Sequence, residues 1–336
     1  MKAALNALRS NLEIRDLRTF SGSQMRLLLE EEAREWTRRL QWDYAPSIKM
    51  LMQYLDARIL PGLVAIDAPS GEILGYCFAV YEGQKAVVGD VFCWPAGTSG
   101  YTPAEIQNAL LAPQLETLQN TPGILRVEAQ LLLHPSGSLE EVFRNAGFTA
   151  YRRLFMQRSL REDPLPPAGS ESPIALPPGI RLLRWTTSHF QQAGELVYRA
   201  YAGHGDSVIN DQYESIHGAL RFLHNIVRFP GCGVFDAEAS WVLWDEHTQR
   251  MQGLLLCSVV QKGVAHITQI SIASHLRGRG LGRFLLRHAL AELKLRGFES
   301  ITLTVTQRNT AAMRLYASFG FTERTDFDAM VWVSDR

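Results

Sequence analysis

The sequence has little lysine, few cysteines and no excess charge of either sign. Only five of its 34 basic residues are lysines, and 34 acidic residues balance the basic ones. A chain with zero net charge has no overall field to attract nucleic acid or an anionic membrane. The composition therefore argues against a nucleic-acid-binding or membrane-bound protein. Most cationic contacts must be made by arginine.

Disulfides, metal centres and membrane helices are not indicated either. The cysteines Cys77, Cys93, Cys232 and Cys257 are far apart and form no C-x-x-C pair, as is typical of reduced, buried thiols. No run approaches the ~18 consecutive apolar residues of a membrane helix, and the N-terminal residues do not resemble a secretory signal. We expect a cytoplasmic protein with no metal, no nucleic-acid partner and no membrane contact. The sequence does not indicate the oligomeric state.

A proline-rich stretch divides the chain into two nearly equal parts. Residues 162–179, EDPLPPAGSESPIALPPG, contain six prolines. Proline fixes φ and lacks the N–H that a helix or sheet needs, so this stretch is predicted to be an extended linker. The length of 336 residues also favours two domains. We predict domains over residues 1–161 and 180–336.

Short sequence words recur in the two parts in the same order. IRDLR at 14–18 matches IRLLR at 180–184, and VFRNAGFT at 142–149 matches LYASFGFT at 315–322. Words that keep their order at a nearly constant offset indicate an internal duplication. We therefore expect two tandem domains of one fold.

The second part alternates strand-like and helix-like patterns. β-rich runs separated by turn residues come first, and a strand, a helix and another strand follow. This order predicts the α/β (α+β) class, with each domain a mixed, mostly antiparallel sheet flanked by helices. The predicted strands are 180–185, 241–245, 251–260, 264–273, 301–306 and 329–333, and the predicted helices are 189–201, 212–227, 281–296 and 310–319.

A glycine-rich loop, LRGRGLG at 276–282, lies between a predicted strand and a predicted helix. Its glycines let an anion approach backbone N–H groups at a helix N-terminus, where the helix dipole favours negative charge. The dinucleotide motif G-x-G-x-x-G is not matched, because its third glycine would fall at Arg283 or Leu285, and a P-loop would need a lysine that is absent from this segment. A coenzyme A loop and a flexible turn remain.

A second motif follows the R-x-x-G-x-G pattern of this loop. NTAAMRLYASFGF at 309–321 fits N-x-x-A-x-x-x-Y-x-x-x-G-F. The two motifs together, over residues 180–333, resemble the GNAT superfamily of acetyl-CoA-dependent N-acyltransferases. Because the two parts resemble each other, the arrangement is similar to that of tandem GNAT proteins such as the mycothiol synthases.

The resemblance implies a coenzyme site and a reaction. Acetyl-CoA is the implied co-substrate, and a primary amine of a small molecule or peptide is the implied acceptor, which attacks the thioester directly in a ternary complex. Tyr316 matches the family's general acid, which protonates the leaving thiolate. The residues implied to bind the coenzyme are Ile270, Ser271 and Ile272 on the fourth strand, Arg277, Gly278, Arg279, Gly280, Leu281 and Gly282 in the loop, and Asn309 after the fifth strand.

Several residues could accept the proton of the amine. Some family members place an acid or imidazole early on the fourth strand, and His266 matches that position. An imidazole with a pKa near ~6.5 can accept a proton at neutral pH, directly or through water, although a histidine at a strand start can also be structural. His204, Asp206 and Asp211 are further candidates, in the region where the family shapes its acceptor pocket.

The first part lacks the signature of a coenzyme site. Phe143 stands where Tyr316 stands in the second part, and no lysine or arginine occurs from 86 to 125. We expect the first part to be a degenerate, non-catalytic GNAT-like domain and the second to be the catalytic one. The alternative function is an acyl-CoA-binding sensor or regulatory module without turnover. The retention of Tyr316 and Asn309 favours the enzyme, because a binder needs the loop but not the acid.

Overall fold

The computed structural model describes residues 11–96, 100–161, 176–228 and 230–334. Most of the proline-rich stretch, residues 162–175, lies outside the described residues, so the linker stays a prediction. No helix in the described ranges is both long enough and apolar enough to cross a membrane.

The described part of the chain runs twice through one order of elements: a strand, two helices, three strands, a helix, a strand, a helix and a last strand. The strands are β1 (Leu12–Asp16), β2 (Gly62–Asp67), β3 (Glu72–Glu82), β4 (Lys85–Cys93), β5 (Arg126–Gln130), β6 (Thr149–Ser159), β7 (Ile180–Arg184), β8 (Val234–Asp245), β9 (Arg250–Gln261), β10 (Val264–Ile272), β11 (Ser300–Thr306) and β12 (Thr322–Val333). The helices are α1 (Gly22–Leu40), α2 (Ala45–Asp56), α3 (Pro103–Asn120), α4 (Glu140–Asn145), α5 (Phe190–Tyr201), α6 (Ile216–Arg228), α7 (Leu281–Leu295) and α8 (Thr310–Ser318).

These elements group into two compact units. The units do not divide at the proline-rich stretch, because each contains a strand from the other part of the sequence. Among the described residues, unit 1 contains 11–40, 44–152 and 326–334, and unit 2 contains 41–43 and 153–325. Most of β6 therefore belongs to unit 2, although it precedes the proline-rich stretch. The end of β12 belongs to unit 1, although it closes the second part of the sequence.

Unit 1 is a mixed sheet with the strand order β1-β2-β3-β4-β5-β12. Its neighbouring strands are antiparallel except for the parallel pair β4 and β5. Successive side chains of a strand point to opposite faces, and helices cover both faces of this sheet. Tyr76 of β3 donates a hydrogen bond to Glu32 of α1 at 2.5 Å, whereas the adjacent Cys77 packs with Leu110 of α3.

Unit 2 follows the same plan in the order β6-β11-β10-β9-β8-β7. The pair β10 and β11 is parallel and the others are antiparallel. Leu285 of α7 and Tyr316 of α8 pack in the core on one face of this sheet, and Leu196 of α5 and Leu223 of α6 pack in the core on the other. The predicted fold class, mixed and mostly antiparallel sheets flanked by helices, is confirmed.

The fourth strand of each unit carries a β-bulge at a matching position. In unit 2 the register between β9 and β10 shifts between Ile267 and Gln269, which leaves Thr268 as the extra residue. In unit 1 the register between β3 and β4 skips Gly89 in the same way. The parallel pairing with the fifth strand ends just before the bulge, at Ile267 in unit 2 and at Val88 in unit 1. This shared irregularity supports the internal duplication.

Two strands are longer than their sequence pattern predicts. β8 begins at Val234 rather than at residue 241, and β12 begins at Thr322 rather than at residue 329. The added segments contain charged residues such as Asp236 and Glu323, so they lack the apolar alternation from which strands are predicted. Ladder hydrogen bonds need only the backbone, and Val234 pairs with Val259 despite this composition.

We expect Leu285→Ala to lower the free energy of unfolding by about 2 to 5 kcal/mol, because it removes a buried side chain and leaves a cavity beneath α7. Leu285 is fully buried, whereas Leu295 at the end of the same helix is 84% exposed. Urea denaturation of both alanine variants tests this packing. The core assignment of α7 is wrong if Leu285→Ala is as mild as Leu295→Ala, which should stay within ~0.5 kcal/mol of the parent.

Candidate active site

The two parallel strands of unit 2 run side by side and then separate. β10 pairs with β11 from Val264 opposite Ser300 to Ile267 opposite Leu303, and both strands continue beyond this point without pairing with each other. The bulge at Thr268 lies at the point of separation, and such bulges bend a strand. A cavity of about 560 Å³, a size typical of small-molecule sites, opens between the strands.

The structure brings most of the residues predicted from the sequence together around this cavity. Arg279 is exposed and lies outside the lining, and His266 and Asp211 do not line the cavity either. The predicted residues that line it are Ile270, Ser271, Ile272, Arg277, Gly278, Gly280, Leu281, Gly282, Asn309 and Tyr316, together with His204 and Asp206.

The glycine loop forms the N-terminal end of α7. Gly278 and Gly280 have φ angles of 75° and 80°, in the left-handed region that favours glycine. The first helical hydrogen bond runs from Phe284 N to Gly280 O at 2.9 Å, so the N–H groups of Leu281 and Gly282 precede the intrahelical ladder. With both of these residues in the cavity lining, this end of the cavity is suited to an anion.

Arg277 connects the loop to two neighbouring elements. Its Nη2 donates to the carbonyl of Ala200 at the end of α5, and its Nε donates to the carbonyl of Ile272 at 3.4 Å. The guanidinium therefore lies across the end of β10 and fixes the position of the loop. It also contributes positive charge to the cavity wall.

Tyr316 of α8 reaches the cavity from a buried position. The residue is 4% exposed, and its ring lies 5.8 Å from that of Phe321. Burial raises the pKa of its phenol, and the neighbouring Tyr201 and Asp206 add to this increase while Arg153 opposes it. The phenol is thus protonated at neutral pH and can donate a hydrogen bond into the cavity.

Asn309 begins α8 and links it to the opposite wall. Its side-chain oxygen accepts a hydrogen bond from Ala312 N at 3.2 Å, which is the usual role of asparagine at a helix N-terminus. Its Nδ2 donates to Asp206 Oδ2 at 3.5 Å. One side chain thereby stabilises the helix that carries Tyr316 and orients a carboxylate of the cavity.

A polar network covers the side of the cavity formed by the bulged strand. Gln269 accepts a hydrogen bond from the hydroxyl of Tyr213 at 3.2 Å and donates to the hydroxyl of Tyr201 at 3.2 Å and to Ser271 Oγ at 2.9 Å. The rings of Tyr201 and Tyr213 are stacked, with centroids 3.8 Å apart. This network holds the end of α5 and the turn before α6 against β10.

His266 is buried in the sheet rather than exposed to the cavity. Its ring lies 5.0 Å from that of Trp42 and 5.9 Å from that of Phe155, and its Nδ1 is 2.8 Å from Thr302 Oγ1. Burial, together with the charge of Arg153, lowers the pKa of this imidazole to about 3. These features favour a packing role over the proton-accepting role expected from the sequence, because such a ring takes up no proton near neutral pH.

The lesser candidates for the base occupy different environments. Asp211 forms an ion pair with Arg221 at 2.9 Å, away from the cavity. His204 Nδ1 accepts a hydrogen bond from Asp206 N at 3.1 Å, so the neutral imidazole carries its proton on Nε2. Asp206 lines the cavity, and its charge contributes to the raised pKa of Tyr316. Of the two candidate carboxylates, Asp206 is thus the one that lines the cavity and whose charge acts on the predicted general acid, Tyr316.

Sequence reasoning did not find the tyrosines, the glutamine and the arginine that shape the polar side of the cavity. Tyr201, Tyr213 and Gln269 lie within or beside elements that were predicted, and no motif distinguishes them from structural residues. Arg153 lies on β6, which the sequence assigns to the other half of the chain. A long-range strand pairing brings Arg153 to the cavity, and one sequence carries no local signal for such a pairing.

The corresponding region of unit 1 is filled. His134, which follows β5, has its Nε2 2.8 Å from the carbonyl of Val91, on the part of β4 that extends beyond the pairing with β5. The space beside it measures only about 10 Å³ and is lined by the fully buried Phe143. Burial lowers the pKa of His134 to about 4, so the ring is neutral. The described part of unit 1 thus offers little room at this position.

The fold is similar to that of GNAT proteins with solved structures. The chain superimposes on a GCN5-related N-acetyltransferase from Sphaerobacter thermophilus with a TM-score of 0.66, at 15% identity and over 96% of both chains. It also superimposes on a tandem GNAT protein from the clavulanic acid biosynthesis pathway with a TM-score of 0.56, at 15% identity, over 96% of this chain and 98% of that one. These likenesses establish the fold.

Residues 209–321 match the model of the acetyltransferase (GNAT) family. The matched residues include the glycine loop and the segment of α8 that carry the two motifs. The chain is 30% identical over 183 residues to a mycothiol acetyltransferase of Thermobispora bispora, covering 53% of this chain and 57% of that protein. It is 43% identical over 61 residues to a ribosomal-protein alanine N-acetyltransferase of Salmonella typhimurium, covering 18% of this chain and 41% of that protein. The chain thus matches about half the length of these curated relatives.

The buried His266 makes stability depend on pH in a predictable direction. Its pKa is about 3 in the fold and ~6.5 in an unfolded chain, so the unfolded state takes up the proton first as the pH falls. The stabilisation by the neutral ring is complete above pH ~6.5 and decreases by about 1.4 kcal/mol per pH unit below it. We expect the stability difference between the parent and His266→Gln to shrink as the pH falls from ~6.5 to ~4.5.

Urea denaturation at a series of pH values measures this difference. His217→Gln, which changes an exposed histidine, is the matched control and should follow the parent at every pH. If the curves of the parent and of His266→Gln run parallel over the whole range, His266 is not held neutral in the fold.

Proposed function

We propose that the chain is an N-acetyltransferase that transfers an acetyl group from acetyl-CoA to a primary amine. One observation carries this proposal: the separated strands, the N-terminus of α7 and the protonated Tyr316 all open onto one cavity. These parts supply a channel, an anion site and a hydrogen-bond donor. Together they suit a reaction between the thioester of a phosphate-bearing coenzyme and an amine.

The donor set of the cavity fits acetyl-CoA. The backbone N–H groups at Leu281 and Gly282 and the charge of Arg277 are suited to a pyrophosphate. The unpaired edge of β10 beyond Ile267 offers backbone groups to the amide-containing arm and to the thioester oxygen. The relatives from Thermobispora and Salmonella support the co-substrate, since both are named acetyltransferases.

In the proposed reaction the amine attacks the thioester directly within a ternary complex. The neutral amine forms a bond to the thioester carbon, and the bond between that carbon and sulfur breaks, which yields an amide and the thiol of coenzyme A. Tyr316 donates a hydrogen bond, and finally a proton, to the departing sulfur. The nitrogen loses a proton as the amide forms, and this proton restores the phenol, directly or through water. Holding both reactants in one cavity contributes a large share of the rate by itself.

We assign to Asp206 the role of binding the acceptor amine and accepting its proton. Its carboxylate lines the cavity and is oriented by Asn309 Nδ2. It attracts the acceptor's ammonium group and receives its proton, directly or through water, before the attack. His266 takes no part in this scheme, since its ring is enclosed by Trp42 and Phe155.

The acceptor is a small molecule or a peptide. The relatives include one named for mycothiol and one named for an alanine of a ribosomal protein, so both kinds of acceptor occur among similar proteins. An acyl-CoA-binding sensor without turnover is the second candidate. The buried, protonated Tyr316 favours the enzyme, because coenzyme binding alone does not need a proton donor at this position.

We expect one acetyl-CoA site per chain by isothermal titration calorimetry, because the equivalent space in unit 1 is filled. Gly280→Ala should weaken this binding roughly tenfold, the equivalent of about 1.4 kcal/mol, because a Cβ at φ 80° shifts the loop. Gly297→Ala, at φ 77° beyond α7, introduces the same strain away from the cavity and should leave the affinity unchanged. Two equivalent sites, or equal effects of both variants, would contradict the assignment.

We expect Tyr316→Phe to lower kcat by roughly 10²-fold, the lower end of general acid catalysis, while acetyl-CoA affinity is retained. Thioester cleavage measured with a panel of amines tests this, together with calorimetry of the coenzyme. Tyr198→Phe makes the same change on α5, outside the cavity lining, and serves as the control. Tight binding by the parent without turnover on any amine would favour the sensor instead.

A further inference from the structure

Arg153 is a cation of the cavity wall that the proposed reaction does not use. It lies on β6 opposite Thr306, at the end of the pairing between β6 and β11. Its Nη2 donates to Thr304 Oγ1 at 3.3 Å, and both residues line the cavity. A strand next to the separated pair thus delivers a guanidinium to the cavity and fixes it there.

The side chain of Arg153 lies on the sheet face opposite to the core that contains α7 and α8. Leu303 and Val305 of β11 belong to that core, and the intervening Thr304 points to the other face. Arg153 contacts Thr304 and therefore shares this second face, which α5 and α6 cover. The loop suited to the pyrophosphate belongs to α7. Arg153 is thus placed for the acceptor rather than for the coenzyme phosphates.

Arg153 and Asp206 carry opposite charges, and both affect the pKa values of the same three phenols. Burial raises the pKa values of Tyr201, Tyr213 and Tyr316, and in each case Asp206 adds to the increase while Arg153 opposes it. A fixed cation and a fixed anion therefore face one small polar region. A ligand that carries both charges complements such a region better than a simple amine does.

We propose that Arg153 binds an anionic group of the acceptor, so that the acceptor is an amine that also bears a carboxylate or a phosphate. Asp206 holds the ammonium end and Arg153 the anionic end. The planar guanidinium can donate two parallel hydrogen bonds to either group, which gives direction as well as charge. This assignment rests on the proposed transferase function and names the substrate class of the same site.

The test compares amines in matched pairs that differ only in the anionic group: glycine and glycinamide, β-alanine and β-alaninamide, O-phosphoethanolamine and ethanolamine. We expect the parent to have a higher kcat/KM for the anionic member of at least one pair, and the pair concerned distinguishes carboxylate from phosphate. Arg153→Gln should lower kcat/KM for that member roughly ten- to hundredfold, the range for a lost hydrogen bond to a charged group. The neutral member should lose less activity than the anionic one, so the ratio of the two kcat/KM values should fall.

Two control variants separate recognition from folding. Arg153→Lys keeps the charge but not the paired donors of the guanidinium. It should therefore retain part of the preference for anionic amines. Arg152→Gln changes the adjacent arginine of β6, which is exposed, pairs with Asp326 at 2.6 Å and belongs to unit 1, and it should behave as the parent does. Acetyl-CoA affinity and the unfolding midpoint of Arg153→Gln should match those of the parent.

A binding measurement keeps this inference distinct from the proposed function. The protein saturated with coenzyme A is titrated with N-acetylglycine, N-acetyl-β-alanine and O-phosphoethanolamine, and with the corresponding neutral amides and ethanolamine. Binding of the anions that is lost in Arg153→Gln supports the subsite, even if no amine is turned over. Turnover without any preference for anionic amines, or a preference that Arg153→Gln retains, would overturn the inference and leave the transferase standing.

Discussion

The parting of β10 from β11 after Ile267 and Leu303 is the constraint on which the site of unit 2 depends. A sheet normally pairs the backbone groups of neighbouring strands, and unpaired groups inside a protein need other partners. In unit 2 the pairing of β10 with β11 ends just before the bulge at Thr268, and the cavity opens where the next ladder bonds would be. Gln269 and its two tyrosines stabilise one wall, and the glycine loop closes the end. A ligand bound between the strands would take the place of the missing backbone partners.

Unit 1 shows that this backbone arrangement alone does not create a site. Its β4 has the same bulge and the same early end of pairing, yet His134 bonds to the extended part of β4 and Phe143 fills the remaining space. A fold sets where a site can form, and side chains decide whether one does. The two units share one fold, and they differ in the few residues that fill the space between the fourth and fifth strands or leave it open.

The local parts of this site could be predicted from the sequence, and its long-range parts could not. The glycine loop and the segment from Asn309 to Phe321 are contiguous motifs, so their places at the starts of α7 and α8 follow from their own residues. His266 fits the position of a base on its strand, but its enclosure by Trp42 and Phe155 depends on segments more than a hundred residues away. Arg153 enters the site through the pairing of β6 with β11, which no pattern within either strand specifies.

The exchanged strands also bear on how the chain folds while it is being made. In unit 1, β5 lies between β4 and β12, so its second partner, β12, emerges from the ribosome only after all the strands of unit 2 have been synthesised. Until then β5 keeps an open edge, which other chains can recognise as a place to pair. Such distant pairings form slowly, because a long stretch of chain must be ordered first. Of the two units, unit 1 is therefore the one whose synthesis starts first and whose sheet is completed last.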